Sequence, residues 1–328
     1  MFDLSAERAK GQAQVVVSDA SAVAPGIGLL SDPLGDRRLN VYALEHDGGW
    51  ALFDACVPGT LTGRVERGDL VGAITLLVVS HADADHLGDA AALRTLSPDL
   101  RIFCHAGDRR WIEDHDALVR ERYDHARPRY EYGYPTDVLR ELRRLCGANI
   151  RIDATLDDGS SLRIGAREWR VLHVPGHSPG HLALWYEPDG VLLFGDAVLG
   201  FGPPDGDGRA SMPPTHQSIG DYLRTIDRLA RLPVRLALSG HWPPLDGALF
   251  GRLLRESRAC VERDLEVVLE ACSGQPRRFA DLIGALNDRS RSWPPVEDAS
   301  YSFALAGYLE YLTGRRRLRE EPGGVYIR

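Results

Sequence analysis

The chain reads as an α/β protein whose strands end on metal-type ligands, and three observations predict this class. First, short apolar runs close on histidine or aspartate. Ile74 to Val79 leads into Ser80-His81-Ala82-Asp83-Ala84-Asp85-His86, Val191 to Phe194 closes on Gly195-Asp196, and Leu236 to Ser239 closes on Gly240-His241. Second, strand-like and helix-like patterns alternate between residues 70 and 105. Third, the pattern turns helical from Asp108 to Arg144 and again after Pro243-Pro244. Open α/β sheets carry their ligands outside the carboxyl ends of the strands, which is where these residues fall.

Taken in order, residues 14 to 54 alternate apolar and polar side chains around glycine-rich turns, which predicts an antiparallel opening sheet ending at Trp50-Ala51-Leu52-Phe53-Asp54. A helix from Asp89 to Leu96 and a strand from Arg101 to Cys104 follow the His/Asp loop. The polar helical stretch up to Arg144 holds Trp111, Tyr123, Tyr130, Tyr132 and Tyr134. Strands resume at Leu162 to Ile164 and Trp169 to His173, and the turn-rich segment Val174-Pro175-Gly176-His177-Ser178-Pro179-Gly180-His181 comes next. Tyr222 to Arg231 has the spacing of an amphipathic helix. Beyond it, Leu253 to Ala271, Phe279 to Asn287 and Ser302 to Leu312 read as helices, and Arg317 to Arg328 as a hairpin around Pro322-Gly323-Gly324. The loop Ser290 to Ser300 is expected to approach either the substrate or a second subunit, with a homodimer as the assembly in that case.

Composition narrows the classes. At 328 residues and 44% hydrophobic, the chain can bury a sizeable core, and no apolar run approaches the length that spans a bilayer. The opening Met1-Phe2-Asp3-Leu4-Ser5-Ala6-Glu7 lacks the basic and apolar regions of a signal peptide, so a cytoplasmic location is expected. A net charge of −8 argues against nucleic acid as a partner. The basic run Arg315-Arg316-Arg317 reads as a solvated helix end. Cys56, Cys104, Cys146, Cys260 and Cys272 are scattered, with no paired spacing, and read as reduced.

The loop from His81 to His86 holds two imidazoles and two carboxylates, a donor set suited to a metal ion. Six consecutive residues cannot surround an ion, so His177, Asp196 and His241, from separate strand ends, are the candidates to complete the shell. On these four segments, in this order, the chain resembles the metallo-β-lactamase fold superfamily, in its glyoxalase II, lactonase and thioesterase-like branch, over residues 14 to 250. The resemblance implies a four-layer αββα sandwich. It implies a catalytic domain over 1–250 with a helical lid insertion at 108–150, and a helical winged-helix-like domain over 251–328. It also implies that His81, Asp83 and His177 hold one metal, that Asp85, His86 and His241 hold a second, and that Asp196 bridges them. Asp54 matches an acidic residue that orients a ligand histidine, and His181 is expected to pack or hydrogen-bond behind the ligands. Tyr123, Tyr130, Tyr132 and His216 are the candidate substrate contacts.

The expected reaction is hydrolysis of an ester, thioester or lactone carbonyl in a small organic or acyl substrate by a metal-bound hydroxide, with Asp85 orienting the nucleophile and passing a proton to the leaving group. Asp83 departs from the family pattern, which has histidine at that place. A carboxylate is a harder, charged donor, so it either tilts the expected pair of zinc ions toward manganese or iron, or weakens the first site and leaves a mononuclear or exchangeable metal. On that ground a diiron redox or oxygen-binding protein is the second reading. A non-catalytic module that holds a metal-dependent ligand is the third.

Overall fold

The computed structural model describes residues 21–46, 49–290 and 298–328. Residues 14–20 of the expected opening sheet, and 291–297 of the loop before Ser300, lie outside the described residues. A seven-stranded sheet runs in chain order through β1 (Ser21–Ala24), β2 (Ile27–Leu34), β3 (Arg37–His46), β4 (Gly49–Phe53), β5 (Ala73–Val78), β6 (Arg101–Cys104) and β7 (Ala154–Thr155). Neighbours are antiparallel up to β4 and parallel from β4 to β7. The second sheet has the order β13-β12-β11-β10-β9-β8. It is built from β8 (Ser161–Ile164), β9 (Arg167–His173), β10 (Leu182–Tyr186), β11 (Val191–Gly195), β12 (Leu236–Ser239) and β13 (Leu245–Asp246), with β11 and β12 as its parallel pair.

Side-chain alternation builds the layers. In β4, Ala51 and Phe53 point into a core shared with Val171, Leu193 and Leu238 of the second sheet, whereas Trp50 and Leu52 point the other way, into a core formed with helices. The outer helices on this side are α1 (Thr60–Arg67), α2 (Ala84–Leu87) and α3 (Ala90–Leu96). A helical stretch then runs through α4 (Ala106–Glu113), α5 (His115–Leu118), a wide π-helical turn (Val119–Tyr123), α6 (Arg127–Tyr130) and α7 (Thr136–Leu145). The far face of the second sheet is covered by α8 (Ile219–Leu229) and α9 (Gly247–Ala271). The layers are therefore helix, sheet, sheet and helix, as expected for this α/β class.

Asp246 starts α9 by accepting from the amides of Ala248 and Leu249, two donors that a helix start leaves unpaired. After α9 come α10 (Phe279–Ser290) and α11 (Tyr301–Gly314), with a small sheet of β14 (Arg277–Arg278), β15 (Arg319–Glu321) and β16 (Val325–Ile327). Their apolar side chains, among them Leu282, Leu305 and Tyr308, belong to the same core as Leu192 and Phe194 of β11. The helical end is thus packed onto the sandwich. No described helix is long and apolar enough to cross a membrane.

Candidate metal centre

β4 and β5 are parallel neighbours, and the chain leaves both at the same edge. Asp54 follows β4 with φ 71, a left-handed conformation that aspartate tolerates better than bulky residues. Its carboxylate accepts from the Ser80 amide at 2.7 Å, from Ser80 Oγ at 2.9 Å and from His86 Nδ1 at 2.8 Å. Because Ser80 Oγ donates to Asp54, it accepts from His81 Nδ1 at 2.9 Å. Both imidazoles thus carry their proton on Nδ1 and present an Nε2 lone pair to the interior.

Among the described residues those lone pairs find no hydrogen-bond partner. His81 Nε2, His86 Nε2 and Asp196 Oδ1 are buried without a hydrogen bond. Asp196 arrives from the end of β11, with Oδ1 3.7 Å from His86 Nε2 and Oδ2 3.0 Å from His241 Nε2. His241, after β12, donates from Nδ1 to the Arg38 carbonyl at 2.9 Å, so its Nε2 also turns a lone pair toward carboxylate. Asp85 Oδ2 lies 3.6 Å from the same nitrogen. Lone pairs facing carboxylates repel unless a cation lies between them. In its absence protons are drawn in: burial disfavours charge on His86 and His241, yet the surrounding carboxylates outweigh it and raise both. The donor set fits a divalent ion, and three groups lie close enough to hold one: His81 with Asp83 and His177, His81 with His86 and Asp196, and Asp85 with His86 and His241.

His177 and His181 come from the turn between β9 and β10. Gly176 has φ 134 and a side chain there would meet the backbone of Tyr222 at 2.5 Å, so glycine lets this turn press against α8. His181 accepts from the Asp196 amide at 3.0 Å and stacks on His81 at 4.6 Å. Burial keeps it neutral, well below the usual imidazole range. The segment Gly176-His177-Ser178-Pro179-Gly180 also spells the Gly-x-Ser-x-Gly string of serine hydrolases. Ser178 is buried and its Oγ donates to Asp108 at 2.6 Å, and a strand follows, so the strand-to-helix elbow of those enzymes is not formed here.

Asp83 and His177 approach each other, with Asp83 Oδ2 2.9 Å from His177 Nε2 and 3.3 Å from His81 Nε2. A residue without any sequence signal joins them. The guanidinium of Arg122, from the π-helical turn, grips Asp83 with Nε to Oδ1 and Nη2 to Oδ2, both at 2.6 Å. Its side chain is fully buried, with Trp111 and Phe303 flanking the guanidinium. Burial pushes the Asp83 carboxyl up, but Arg122 outweighs it and holds it well below the usual carboxylate range. The extra negative charge that points toward manganese or iron is therefore already compensated within the protein.

Beside this cluster lies a cavity of about 210 Å³. Its lining combines charged and polar residues, among them Asp83, Asp85, Arg122, Asp196 and His241, with apolar ones, among them Leu34, Val138, Leu142, Leu145 and Phe303. Tyr123 lines it, and its hydroxyl also accepts from the Ala84 amide at 2.8 Å. Tyr130 and Tyr132 pack on Phe279 instead, and His216 is enclosed, bonded to the Tyr308 hydroxyl at 2.8 Å and stacked on Tyr222. Ser300 reaches the cavity and bonds Tyr134, which also lines it, at 2.7 Å.

Two facing mixed sheets with helices outside, and a His/Asp cluster at their shared edge, define a metal-site α/β sandwich. Residues 34–241 match the model of the metallo-beta-lactamase superfamily, and the chain belongs to that superfamily. It is similar to a hydroxyacylglutathione hydrolase of Methylococcus capsulatus, 45% identical over 82 residues, which is 25% of this chain and 29% of that protein. A hydroxyacylglutathione hydrolase of Rhodospirillum rubrum is 28% identical over 203 residues, covering 60% of this chain and 73% of that one. The chain thus spans under a third of the first relative and most of the second. The fold matches that of a beta-lactamase domain protein from Burkholderia ambifaria with a TM-score of 0.76, covering 95% of this chain and 94% of that chain at 23% identity.

Proposed function

We propose that the protein is a metal-dependent hydrolase of an ester or thioester with an apolar acyl group. The observation that carries this reading is the cavity, whose lining combines residues of the His/Asp cluster with the apolar Val138, Leu142, Leu145 and Phe303. A carbonyl placed against the cluster leaves its acyl chain against those apolar side chains, where burial of each methylene contributes about 0.8 kcal/mol. His81, His86 and Asp196 would hold a divalent ion, which would supply a Lewis acid and lower the pKa of bound water. Asp54, Ser80 and the Arg38 carbonyl fix the tautomers that aim the Nε2 lone pairs inward. Asp85 is partly exposed at the cavity wall, so its carboxylate can take a proton from the nucleophile and return it to the leaving group. The similarity to hydroxyacylglutathione hydrolases supports the thioester half of the reading. Zinc is the ion we favour, because Arg122 compensates the charge on Asp83 and imidazoles make up most of the remaining donors.

Purified protein should hydrolyse acyl thioesters, lose the activity on chelation and regain it with a divalent ion. Asp196→Ala should lose both metal and turnover. Full activity in chelator-treated, metal-free protein would sink the reading.

A further inference from the structure

The candidate ligands divide into two kinds. His81 Nε2, His86 Nε2 and Asp196 Oδ1 are buried and, among the described residues, without a hydrogen bond, the condition of donors that suit an ion. Asp83 and His177 lie close enough to His81 to form a ligand group with it, but they are not in that condition. Both Asp83 oxygens take N–H groups of Arg122, and Arg122 Nη2 lies 3.1 Å from His177 Nε2, the atom that would have to face an ion. The same guanidinium donates from Nη1 to the His177 carbonyl at 3.0 Å and to Gln217 Oε1 at 2.9 Å. Arg122 is thus held by the loop carrying Asp83, by the turn carrying His177 and by the segment before α8. It is a fixed, permanently charged part of the centre.

We propose that Arg122 takes the place of one metal ion: its guanidinium supplies the positive charge at Asp83 and His177, so the centre holds one tightly bound divalent ion, at the unpartnered atoms of His81, His86 and Asp196. A second ion bound to Asp83 and His177 would share donor atoms with the arginine and stand within a few ångströms of its charge, in surroundings that screen it poorly. An arginine cannot leave by losing its proton, as a lysine could. The inference rests on the metallo-hydrolase reading and narrows it. It replaces the expected pair of ions by one ion and one arginine.

The test is metal stoichiometry, independent of turnover. Metal-stripped full-length protein is incubated with excess manganese, desalted, and assayed by elemental analysis and by electron paramagnetic resonance. The wild type should retain one equivalent and show the spectrum of an isolated manganese ion. Arg122→Met should retain a second equivalent and show exchange coupling between the two ions. Arg122→Lys, which keeps the charge, should stay at one. Two coupled ions in the wild type overturn this inference and leave the hydrolase reading standing, whereas no retained metal overturns both. One equivalent in wild type and in Arg122→Met alike overturns the role given to the arginine. If Arg122→Met does not fold, the wild-type count and spectrum still decide between one ion and two.

Discussion

Asp108 Oδ2 accepts from Ser178 Oγ at 2.6 Å, and the same oxygen accepts from the Ala82 amide at 2.9 Å. Its other oxygen takes the Gly180 amide at 2.6 Å. One buried carboxylate therefore fastens the loop bearing His81 and Asp83 to the turn bearing His177. Asp108→Ala leaves these donors without an acceptor, at about 1–3 kcal/mol for each unsatisfied group. A loss of at least about 2 kcal/mol in chemical denaturation is expected. An unchanged midpoint would show that water replaces the carboxylate.

Gly240 lies between two candidate ligands. A methyl group there would stand 2.6 Å from His86 Cε1 and 2.7 Å from Asp196 Oδ1. Gly240→Ala should push both side chains apart, costing about 1–3 kcal/mol in stability and weakening manganese binding measured by titration. Gly206→Ala, where the nearest atom is the Asp36 carbonyl oxygen at 3.9 Å, serves as the control.

How far the centre could be foreseen depends on how local its determinants are. Asp54, Asp196 and His241 each close an apolar strand, so their place at a common edge follows from strand pattern and topology. Arg122 has no such marker. It stands in Arg120-Glu121-Arg122, a run that reads as solvent-facing, and only the π-helical turn and the packing of Trp111 and Phe303 draw it inward. The aromatics divide for the same reason. Tyr123 and Tyr130 look alike in a helical stretch, yet one borders the cavity and the other meets Phe279, a residue of the distant helical end.

The apolar part of the lining predicts chain-length selectivity. Leu142, on α7, faces the cavity next to Val138 and Leu145. Leu142→Trp should raise KM for a long-chain acyl thioester by about tenfold or more while acetyl substrates change little, since pocket volume discriminates by methylenes. A kinetic series from acetyl to decanoyl thioesters checks this, and equal KM changes along the series would move the acyl site elsewhere.

His216 gives the fold an acid sensitivity. Burial lowers its pKa to about 3. The unfolded chain takes up a proton near the ordinary imidazole pKa of about 6.5, whereas the folded protein does not until the pH falls far lower. Between these limits the unfolded state binds more protons, so stability decreases as pH falls, by up to roughly 1.4 kcal/mol per pH unit for this one group. His216→Gln should flatten that slope in urea titrations between pH 6 and pH 4.

Phe303 lies far beyond His241 in the chain, yet it forms part of the cavity wall and flanks Arg122. During synthesis every candidate metal ligand emerges from the ribosome before this residue does. Leu34, Val138, Leu142 and Leu145 precede His241, so the cavity lacks only its last side when the ligands are complete, and it closes when the helix bearing Phe303 has been made and docked. Order of manufacture thus puts the candidate ligands in place before the cavity beside them is finished.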